Sequence, residues 1–441
     1  MEKPHQSLRR GFAAKPISRR RALGALGLAA LPLNLDLLRT VRAAVPAPSS
    51  SPDMPSPDVT VPDLANLHPL VERMAREHAP RLSFLEPRWR SLDDWKAAAR
   101  TELRDRLGYA PAARPPGADL VRREERDGFT VETVRIRATD SYDIPARVLV
   151  PKGPGGRRPA VLALHCHSGR YTWGHEKVLS SPDEPAFLTA FREGTYGRPW
   201  AEALARRGYV VIAIDAFYFG ERRLRAEDLD PARVFPEVRD AHAAIRKHVP
   251  GSEEWTAAVN KVCGFHEHIT AKAITAAGAT WGGIHVWDDL RSVDYLCGRP
   301  DVDPARIGCV GLSGGGFRTA MAIGADPRIK AACVTGWMCT FADLLPRHLR
   351  HTWMVFTPGL HRALDLPDVA ALHAPGALLV QQCRRDHLFP VAGMEAAVGK
   401  LGRIYAKAGV PERFKGSFHD LPHSFVPAMQ DEAFEWLDRW L

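Results

Sequence analysis

The sequence lacks the patterns that mark zinc, thiol-redox and membrane-spanning proteins. Seven cysteines occur among 441 residues, an odd number that cannot pair completely within one chain, and no two of them have C-x-x-C spacing. No stretch stays apolar over the ~18 residues that a membrane-spanning helix needs, and no internal repeat is present. Most cysteines fall in predicted strands or helices, where a free cysteine packs as a small apolar residue. We therefore expect a globular protein with a conventional core.

The sequence also lacks a basic surface for nucleic acid, although its formal net charge is +9. Nine of its Lys and Arg residues and only two of its acidic residues lie within residues 1–44. The rest of the chain carries a net charge of about +2, and a nearly balanced chain has no electrostatic footprint for a polyanion. We expect no nucleic-acid partner.

Residues 1–43 have the pattern of a twin-arginine signal peptide. The pair Arg19 and Arg20 precedes a moderately apolar run over residues 22–35, and small residues further on form a cleavage site. The run is too short for a membrane anchor and is interrupted by a proline and an asparagine. We expect cleavage after Ala43 and export to the periplasm or the medium, with membrane contact only during export.

Composition divides the rest of the chain into three parts. Residues 44–62 are rich in proline and serine, which is typical of a flexible linker. Residues 63–118 carry two helical patterns and predict a small helical extension. Residues 119–441 carry the pattern of a single α/β domain.

The apolar residues of this last part predict a mostly parallel sheet. Two alternating stretches, 129–138 and 144–151, predict an antiparallel pair of strands at a sheet edge. Continuous apolar runs separated by helical stretches follow, which is typical of a parallel sheet covered by helices on both faces. The runs are residues 160–165, 210–215, 307–312, 331–335 and 377–382.

Two insertions interrupt this alternation, at about residues 217–280 and 341–373. Each follows a predicted strand and so lies at the carboxyl edge of the sheet, where ligands bind in open α/β sheets. We expect the insertions to form lids or substrate walls. Aromatic rings there can stack on a sugar, although most tryptophans serve packing. The four tryptophans in or near the insertions are Trp281, Trp287, Trp337 and Trp353.

A serine stands at a strand-to-helix junction, in the sequence Gly-Leu-Ser-Gly-Gly at residues 311–315. Such a turn holds a serine hydroxyl out of the backbone surface, and crowding there demands residues without Cβ beside it. The amides that open the following helix point to where an oxyanion would develop. An ordinary glycine-rich turn is the alternative interpretation. In this context the G-x-S-x-G motif predicts that Ser313 is a nucleophile.

With the antiparallel start and the parallel sheet, this serine makes residues 119–441 resemble the α/β-hydrolase family. The stretches HCHSG at 165–169, RPWAEALARRGYVVIAIDAFYFGERR at 198–223 and DDLRSVDYLCGRPDVDPARIGCVGLSGGG at 288–316 are similar to the dienelactone-hydrolase-like and bacterial carbohydrate-esterase branches, including acetylxylan and glucuronoyl esterases. Dienelactone hydrolases proper have a cysteine at the elbow, whereas Ser313 favours ester substrates. The resemblance implies a mostly parallel central sheet flanked by helices, with a helical N-terminal extension and lid-like insertions.

The resemblance also implies the order serine, acid, histidine along the chain. Asp386 follows the run at 377–382 and is the predicted acid, while Asp343, after the preceding strand, is the alternative. His423 is the predicted base because it precedes the last helix and fits the family's final His-x-Phe pattern. His419, at the end of the last strand, is expected to pack structurally.

The expected oxyanion hole uses two backbone N–H groups, that of Gly314 and one from the loop at 165–169. By family position His167 supplies the second. The His-x-His pattern of this loop also suggests a metal site, but no acidic residue lies at ligand spacing. We expect no metal and no other cofactor.

These features predict an exported serine hydrolase that cleaves a carboxylic ester through an acyl-enzyme. The resemblance favours a small-molecule or carbohydrate substrate, with a carbohydrate-linked acyl or uronate ester as the first hypothesis. One alternative is a peptidase of the prolyl-oligopeptidase type, although the region before residue 119 is too short and too helical for a β-propeller. The other is a catalytically silent binding protein with this fold.

Overall fold

Nine strands form one mixed sheet in the computed structural model, which describes residues 62–153 and 155–441. The predicted signal peptide over 1–43 and nearly all of the predicted linker lie outside the described residues. The strands are β1 (Ala118–Glu125), β2 (Phe129–Arg137), β3 (Asp143–Pro151), β4 (Arg158–Leu164), β5 (Val210–Ile214), β6 (Val302–Leu312), β7 (Ile329–Thr335), β8 (Ala377–Cys383) and β9 (Phe414–His419).

The strand order is β1-β2-β3-β5-β4-β6-β7-β8-β9. Pairs along β1-β2-β3-β5 are antiparallel, and β5-β4-β6-β7-β8-β9 run parallel. The predicted antiparallel edge of two strands was incomplete, because β1 adds a third. Most residues of β1 are exposed, including Leu120 and Val121, so its sequence lacks the apolar alternation that reveals a half-buried strand.

Twelve α-helices accompany the sheet in the described residues. They are α1 (His68–Glu77), α2 (Leu92–Leu107), α3 (Ala186–Tyr196), α4 (Trp200–Arg206), α5 (Arg239–Ile245), α6 (Glu253–Ala276), α7 (Trp281–Cys297), α8 (Gly314–Ala325), α9 (Phe341–Leu344), α10 (Leu366–Ala371), α11 (Val391–Lys407) and α12 (Pro427–Trp440).

The sheet separates two apolar cores, as expected for strands buried on both faces. Successive residues of β4 alternate between them: Leu162 packs in the core that includes α2, α7, α8, α10 and α11, and Val161 packs in the core of α3, α4 and α12. The fold class predicted from the sequence is therefore confirmed: helices cover both faces of a mostly parallel sheet.

The segment before β1 contributes α1 and α2. Ser91 caps α2 by accepting a hydrogen bond from the Asp94 N–H, and Gly108 ends the helix in the left-handed region at φ 61°. Trp95 and Leu103 of α2 are fully buried in the first core. This helix is therefore an integral part of the packing.

Both insertions lie above the carboxyl edge of the sheet, and besides short helices and turns the first contains α6, a helix of 24 residues. α5 and α6 lie between β5 and α7, and α9 and α10 lie between β7 and β8. A third apolar cluster, which includes Tyr171, Phe219, Val259, Cys263 and Trp281, packs the first insertion onto this edge. All seven cysteines are free thiols. No helix in the described residues is long and apolar enough to cross a membrane.

Candidate active site

Ser313 occupies a strained turn between β6 and α8. Its backbone has φ 60° and ψ −120°, a conformation that a non-glycine residue rarely adopts. Two hydrogen bonds hold it: the Ser313 N–H donates to the Thr335 carbonyl at 2.9 Å, and the Phe317 N–H donates to the Ser313 carbonyl at 2.8 Å. This turn places the serine side chain at the carboxyl edge of the sheet.

Glycine is required on both sides of this serine. A Cβ on Gly311 would lie 2.4 Å from the carbonyl of Gly315, and a Cβ on Gly315 would lie 2.1 Å from the carbonyl oxygen of Leu164. Both distances are too short for any side chain. The G-x-S-x-G spacing therefore reflects the close approach of α8 to β4 and β6.

His423 and Asp386 form a hydrogen-bonded pair beside this serine. His423 Nδ1 lies 2.5 Å from Asp386 Oδ2, and the other carboxylate oxygen accepts the Leu388 N–H at 2.9 Å. Asp386 is buried. The histidine ring packs on Gly336, where a Cβ would lie 3.0 Å from its Cε1. This ring is thus held by the carboxylate on one side and by glycine backbone on the other.

One cavity of about 310 Å³ brings four of the five predicted site residues together. Its lining includes Ser313, Gly314, His167 and His423, and Asp386 lies behind the histidine. His423 Nε2 is buried without a hydrogen-bond partner in the described residues, and no hydrogen bond there joins it to the serine hydroxyl. Catalytic hydrogen bonds of this kind are often long without substrate and shorten in its complex.

The two rival residues have other partners. Asp343 lies in the first turn of α9, where its N–H donates to Thr340 Oγ1 at 3.2 Å and its carboxylate accepts the Thr340 hydroxyl. His419 Nε2 lies 3.2 Å from Glu432 Oε2 on α12. Both side chains thus bond to residues outside the predicted triad.

The two predicted oxyanion-hole residues approach each other closely. A Cβ on Gly314 would lie 3.2 Å from the backbone nitrogen and the Cβ of His167. In the described residues neither backbone N–H donates to a protein acceptor. Both N–H groups thus stay available at the edge of the cavity.

Glu267, on α6, is a site residue that sequence reasoning missed. Its Oε1 lies 2.6 Å from His167 Nε2 and accepts the Tyr171 hydroxyl at 2.7 Å, while its Oε2 accepts the Thr352 hydroxyl at 2.9 Å. Because the Gly169 N–H donates to His167 Nδ1 at 3.0 Å, the histidine proton is on Nε2 and points to the carboxylate. No pattern in the sequence relates residues 100 positions apart.

Electrostatics around Glu267 favour its charged form. Burial alone would raise its pKa, but the hydrogen bonds from His167, Tyr171 and Thr352 outweigh burial and lower the pKa below the usual value. The carboxylate is therefore a charged connection between the loop at 165–169 and both insertions.

The His-x-His pair of this loop does not converge on one site. His165 is buried with Nδ1 3.0 Å from the Cys166 carbonyl oxygen, and its pKa is held well below the usual value by burial and then by Lys177 and Arg318. His167 faces Glu267 instead. The two rings share no ligand position.

A separate group of possible ligand atoms, on His175, Glu176 and Asp215, lies within 4.8 Å of one another. Each already has a protein partner: His175 Nδ1 lies 2.7 Å from Asp215 Oδ1, and Glu176 Oε2 accepts the Gly174 N–H at 2.8 Å. Burial opposes a charge on His175, but the carboxylates of Glu176 and Asp215 outweigh it and raise its pKa. We assign these side chains to holding the turn.

Trp337 lines the cavity, whereas the other three tryptophans of the insertions do not. Its ring packs edge-on against Phe317, His351 and Phe389. Trp281 is buried against Tyr218. One aromatic ring of the four is therefore placed to meet a substrate.

Comparisons with known proteins agree with this architecture. No family model matches the chain. The protein named "Putative hydrolase YtaP" of Bacillus subtilis (strain 168) is 27% identical over 354 residues, which is 78% of this chain and 100% of that protein.

Two solved structures share the fold at low sequence identity. The structure described as a putative acetyl xylan esterase from Bacteroides fragilis has a TM-score of 0.61 at 16% identity and covers 80% of this chain and 81% of its own. The glucuronoyl esterase from Solibacter usitatus has a TM-score of 0.52 at 16% identity, covering 78% and 93%. With the strand order and the serine turn described above, these likenesses establish that the chain has the α/β-hydrolase fold.

Proposed function

We propose that the protein is a serine hydrolase that cleaves carboxylic esters, with Ser313 as nucleophile, His423 as base and Asp386 as the acid that orients the base. One observation carries the proposal: the strained serine shares a cavity with a histidine whose Nδ1 is held by a buried carboxylate and whose Nε2 has no hydrogen-bond partner in the described part of the chain. This is the arrangement that activates a serine hydroxyl.

The reaction follows from these positions. As the Ser313 oxygen attacks the ester carbonyl, His423 Nε2 takes its proton, and Asp386 stabilises the resulting imidazolium. The N–H groups of Gly314 and His167 donate to the developing oxyanion. The C–O bond to the alcohol then breaks, His423 returns the proton to the leaving alcohol, and the acyl group remains on the serine. Water activated by the same histidine releases the acid and restores the serine.

A carbohydrate-linked acyl or uronate ester is the substrate class we favour. The solved structures with this fold include proteins described as acetyl xylan and glucuronoyl esterases. The cavity adjoins a groove of about 400 Å³, and the two share Arg350, His351 and Leu388. The groove gives room for an alcohol larger than a simple alkyl group, and Trp337 offers an aromatic edge inside the cavity.

The test is turnover of p-nitrophenyl acetate, acetylated xylan and a glucuronoyl methyl ester by the wild type and three variants. Ser313→Ala and His423→Ala should each lower kcat by about 10⁴- to 10⁶-fold, because the triad residues act as a unit. His419→Ala is the matched control, since its histidine is bonded to Glu432, and it should keep most of the activity.

The outcomes separate the proposal from its alternatives. Faster turnover of an aminoacyl amide than of any ester would favour the peptidase. Absence of turnover together with no fluorophosphonate labelling of Ser313 would favour the silent binding protein. Loss of activity in His419→Ala but not in His423→Ala would refute the base assignment.

A further inference from the structure

Lys177 is a fully buried lysine beside the loop at 165–169, and the proposed reaction does not yet use it. Its side chain is 0% exposed. Its Nζ donates to the carbonyl oxygens of Cys166 and His167, each at 3.0 Å, and lies 4.3 Å from the centre of the Phe219 ring. Both carbonyls belong to the loop that borders the cavity.

The ammonium is unusual because it has no carboxylate partner among the described residues. Lysine is almost never fully buried unless it is paired, and an unpaired buried charge is costly. Lys400 shows the ordinary solution in this protein, since its Nζ lies 2.6 Å from the buried carboxylate of Asp368. The Lys177 ammonium instead donates hydrogen bonds to two backbone carbonyls. Any effect of its charge on the site should therefore act through these two peptide groups.

The turn that carries Lys177 is held firmly. It is a short 3₁₀ turn over His175–Lys177. Asp215, at the end of β5, accepts the backbone N–H of His175 at 2.9 Å and also contacts the His175 ring. The backbone from which the lysine side chain projects is thereby anchored to the end of β5.

Peptide geometry links these carbonyls to the oxyanion hole. The carbonyl of Cys166 and the N–H of His167 belong to one peptide unit, and this unit is trans. In a trans peptide the C=O and the N–H point in opposite directions. The Cys166 oxygen is bonded by this ammonium and by His165 Nδ1, each at 3.0 Å, and the two donors together turn the His167 N–H away from themselves. The nitrogen of that N–H is the atom that approaches Gly314.

The same contact strengthens the N–H as a donor. A cation on the carbonyl oxygen polarises the peptide, and hydrogen bonds in a chain reinforce one another in a low-dielectric interior. The Cys166 N–H donates to the Tyr196 hydroxyl at 3.1 Å, which holds the preceding peptide as well. The His167 N–H, which has no protein acceptor in the described residues, thus lies between two anchored peptides.

We propose that Lys177 is the positioning residue of the oxyanion hole: its ammonium binds the Cys166 and His167 carbonyls and so aims and polarises the His167 N–H toward the reacting acyl oxygen. This inference deepens the proposed esterase function and rests on it. Lys177 does not touch the substrate, and its contribution is made through the backbone.

Four neighbouring groups set the charge of this lysine. Burial is the largest influence and lowers the pKa of Lys177 to about 8, Cys166, Glu176 and Asp215 act in the opposite direction, and Arg170 adds to the lowering. The charged form is present at neutral pH and is lost as the pH rises through about 8. The neutral amine can still donate to the carbonyls, but it polarises them less.

The test compares Lys177→Met with Lys96→Met on p-nitrophenyl acetate. Lys96 is the matched control because it is also buried, also donates to a backbone carbonyl, that of Ala374, and also has its pKa lowered to about 8 by burial, yet it lies on α2. We expect Lys177→Met to lower kcat about 10- to 100-fold with KM within about threefold, because an oxyanion exists only after the attack. Lys96→Met should keep wild-type kcat.

Two further readouts distinguish positioning from a merely structural role. A trifluoromethyl ketone, which forms a tetrahedral adduct with the serine, should lose affinity for Lys177→Met by about the same factor as kcat/KM. The wild type and Lys96→Met should lose kcat several-fold between pH 7 and 9.5, while Lys177→Met should show no such fall. If Lys177→Met does not fold, Lys177→Gln, which keeps a neutral donor as the deprotonated amine does, should lose kcat and inhibitor affinity by a smaller, several-fold factor and should likewise show no fall of kcat between pH 7 and 9.5.

Each result has one meaning. If Ser313→Ala is inactive but folded Lys177→Met or Lys177→Gln keeps wild-type kcat and inhibitor affinity, the role of Lys177 is refuted and the esterase proposal stands. An equal loss in Lys96→Met would also refute it. If the wild type turns over no ester, the esterase proposal fails, and this inference fails with it.

Discussion

Asp386 and Asp343 are the same kind of side chain after neighbouring strands, yet they have different partners. Asp386 sits on the short turn after β8, where the N–H of Leu388 fixes one oxygen and His423 binds the other. Asp343 lies in the first turn of α9 and forms hydrogen bonds with Thr340. At the scale of the residue, the chain after each strand decides whether its carboxylate can reach the histidine.

We therefore expect Asp386→Asn to lower kcat by about 10⁴-fold, the cost of the wrong histidine tautomer in serine proteases, with little change in Tm. Asp343→Asn is its control and should cost no more than about 1 kcal/mol of stability, the usual net value of one hydrogen bond, because Thr340 caps α9 and Asp343 accepts its hydroxyl, while turnover stays nearly intact. Steady-state kinetics and thermal unfolding of both variants check this. The opposite pattern would move the acid to Asp343.

At the scale of the element, Glu267 connects three segments that are distant in the sequence. It belongs to α6, it binds His167 in the loop after β4, and it binds Thr352 in the second insertion. Each partner donates a hydrogen bond, so a carboxylate with only acceptor oxygens suits them all. The insertions are thereby tied to the loop at 165–169, which explains how they can form walls of the cavity.

Glu267→Gln should break this connection while keeping the side chain's size. An amide nitrogen would face a donor, and leaving buried polar groups unpaired costs about 1–3 kcal/mol. Urea unfolding at pH 7 should detect that loss, and kcat/KM should fall about tenfold as the loop loosens. Glu253→Gln, on an exposed position of the same helix, should change neither quantity.

The pH dependence of this effect has a definite sign. The pKa of Glu267 is lower in the folded protein than its usual value of 4.5. Its contribution to stability is therefore complete above about pH 4.5 and is lost as the pH falls through the lower, folded-state pKa. The stability difference between wild type and Glu267→Gln should shrink on acidification, and a constant difference would contradict the charged contact.

At the scale of the whole molecule, most of the positive net charge lies in the predicted signal peptide, residues 1–43. Its removal on export would leave a mature protein of nearly balanced charge. Replacing Arg19 and Arg20 together by Lys should leave precursor in the cytoplasm, because the twin-arginine pair is the address that the exporter reads. Cell fractionation and N-terminal sequencing should find the wild-type protein outside the cytoplasm, beginning near Ala44. Unchanged export of the variant would refute the twin-arginine hypothesis and leave the esterase proposal untouched.

Local patterns in the sequence were enough to predict the α/β class, the buried strands and the serine turn. Continuous apolar runs are found where a strand is buried on both faces of a sheet. The glycines at 311 and 315 are needed because neighbouring backbone lies too close for a Cβ at either position. The candidate nucleophile Ser313 came from the motif at this turn, whereas the choice of Asp386 and His423 as its partners used the resemblance to a family. β1 was missed because most of its residues are exposed to solvent, so its sequence does not alternate between apolar and polar residues.

Only the tertiary structure decided which side chains meet. The sequence left either aspartate as a possible partner of His423, and in the folded chain the loop after β8 brings Asp386 into contact with it. Glu267 lies 100 residues from His167, and Lys177 acts on backbone carbonyls, which no side-chain pattern records. Such contacts depend on how the strand order and the insertions bring distant segments together. A local pattern reflects only the burial and turn geometry of its own neighbourhood.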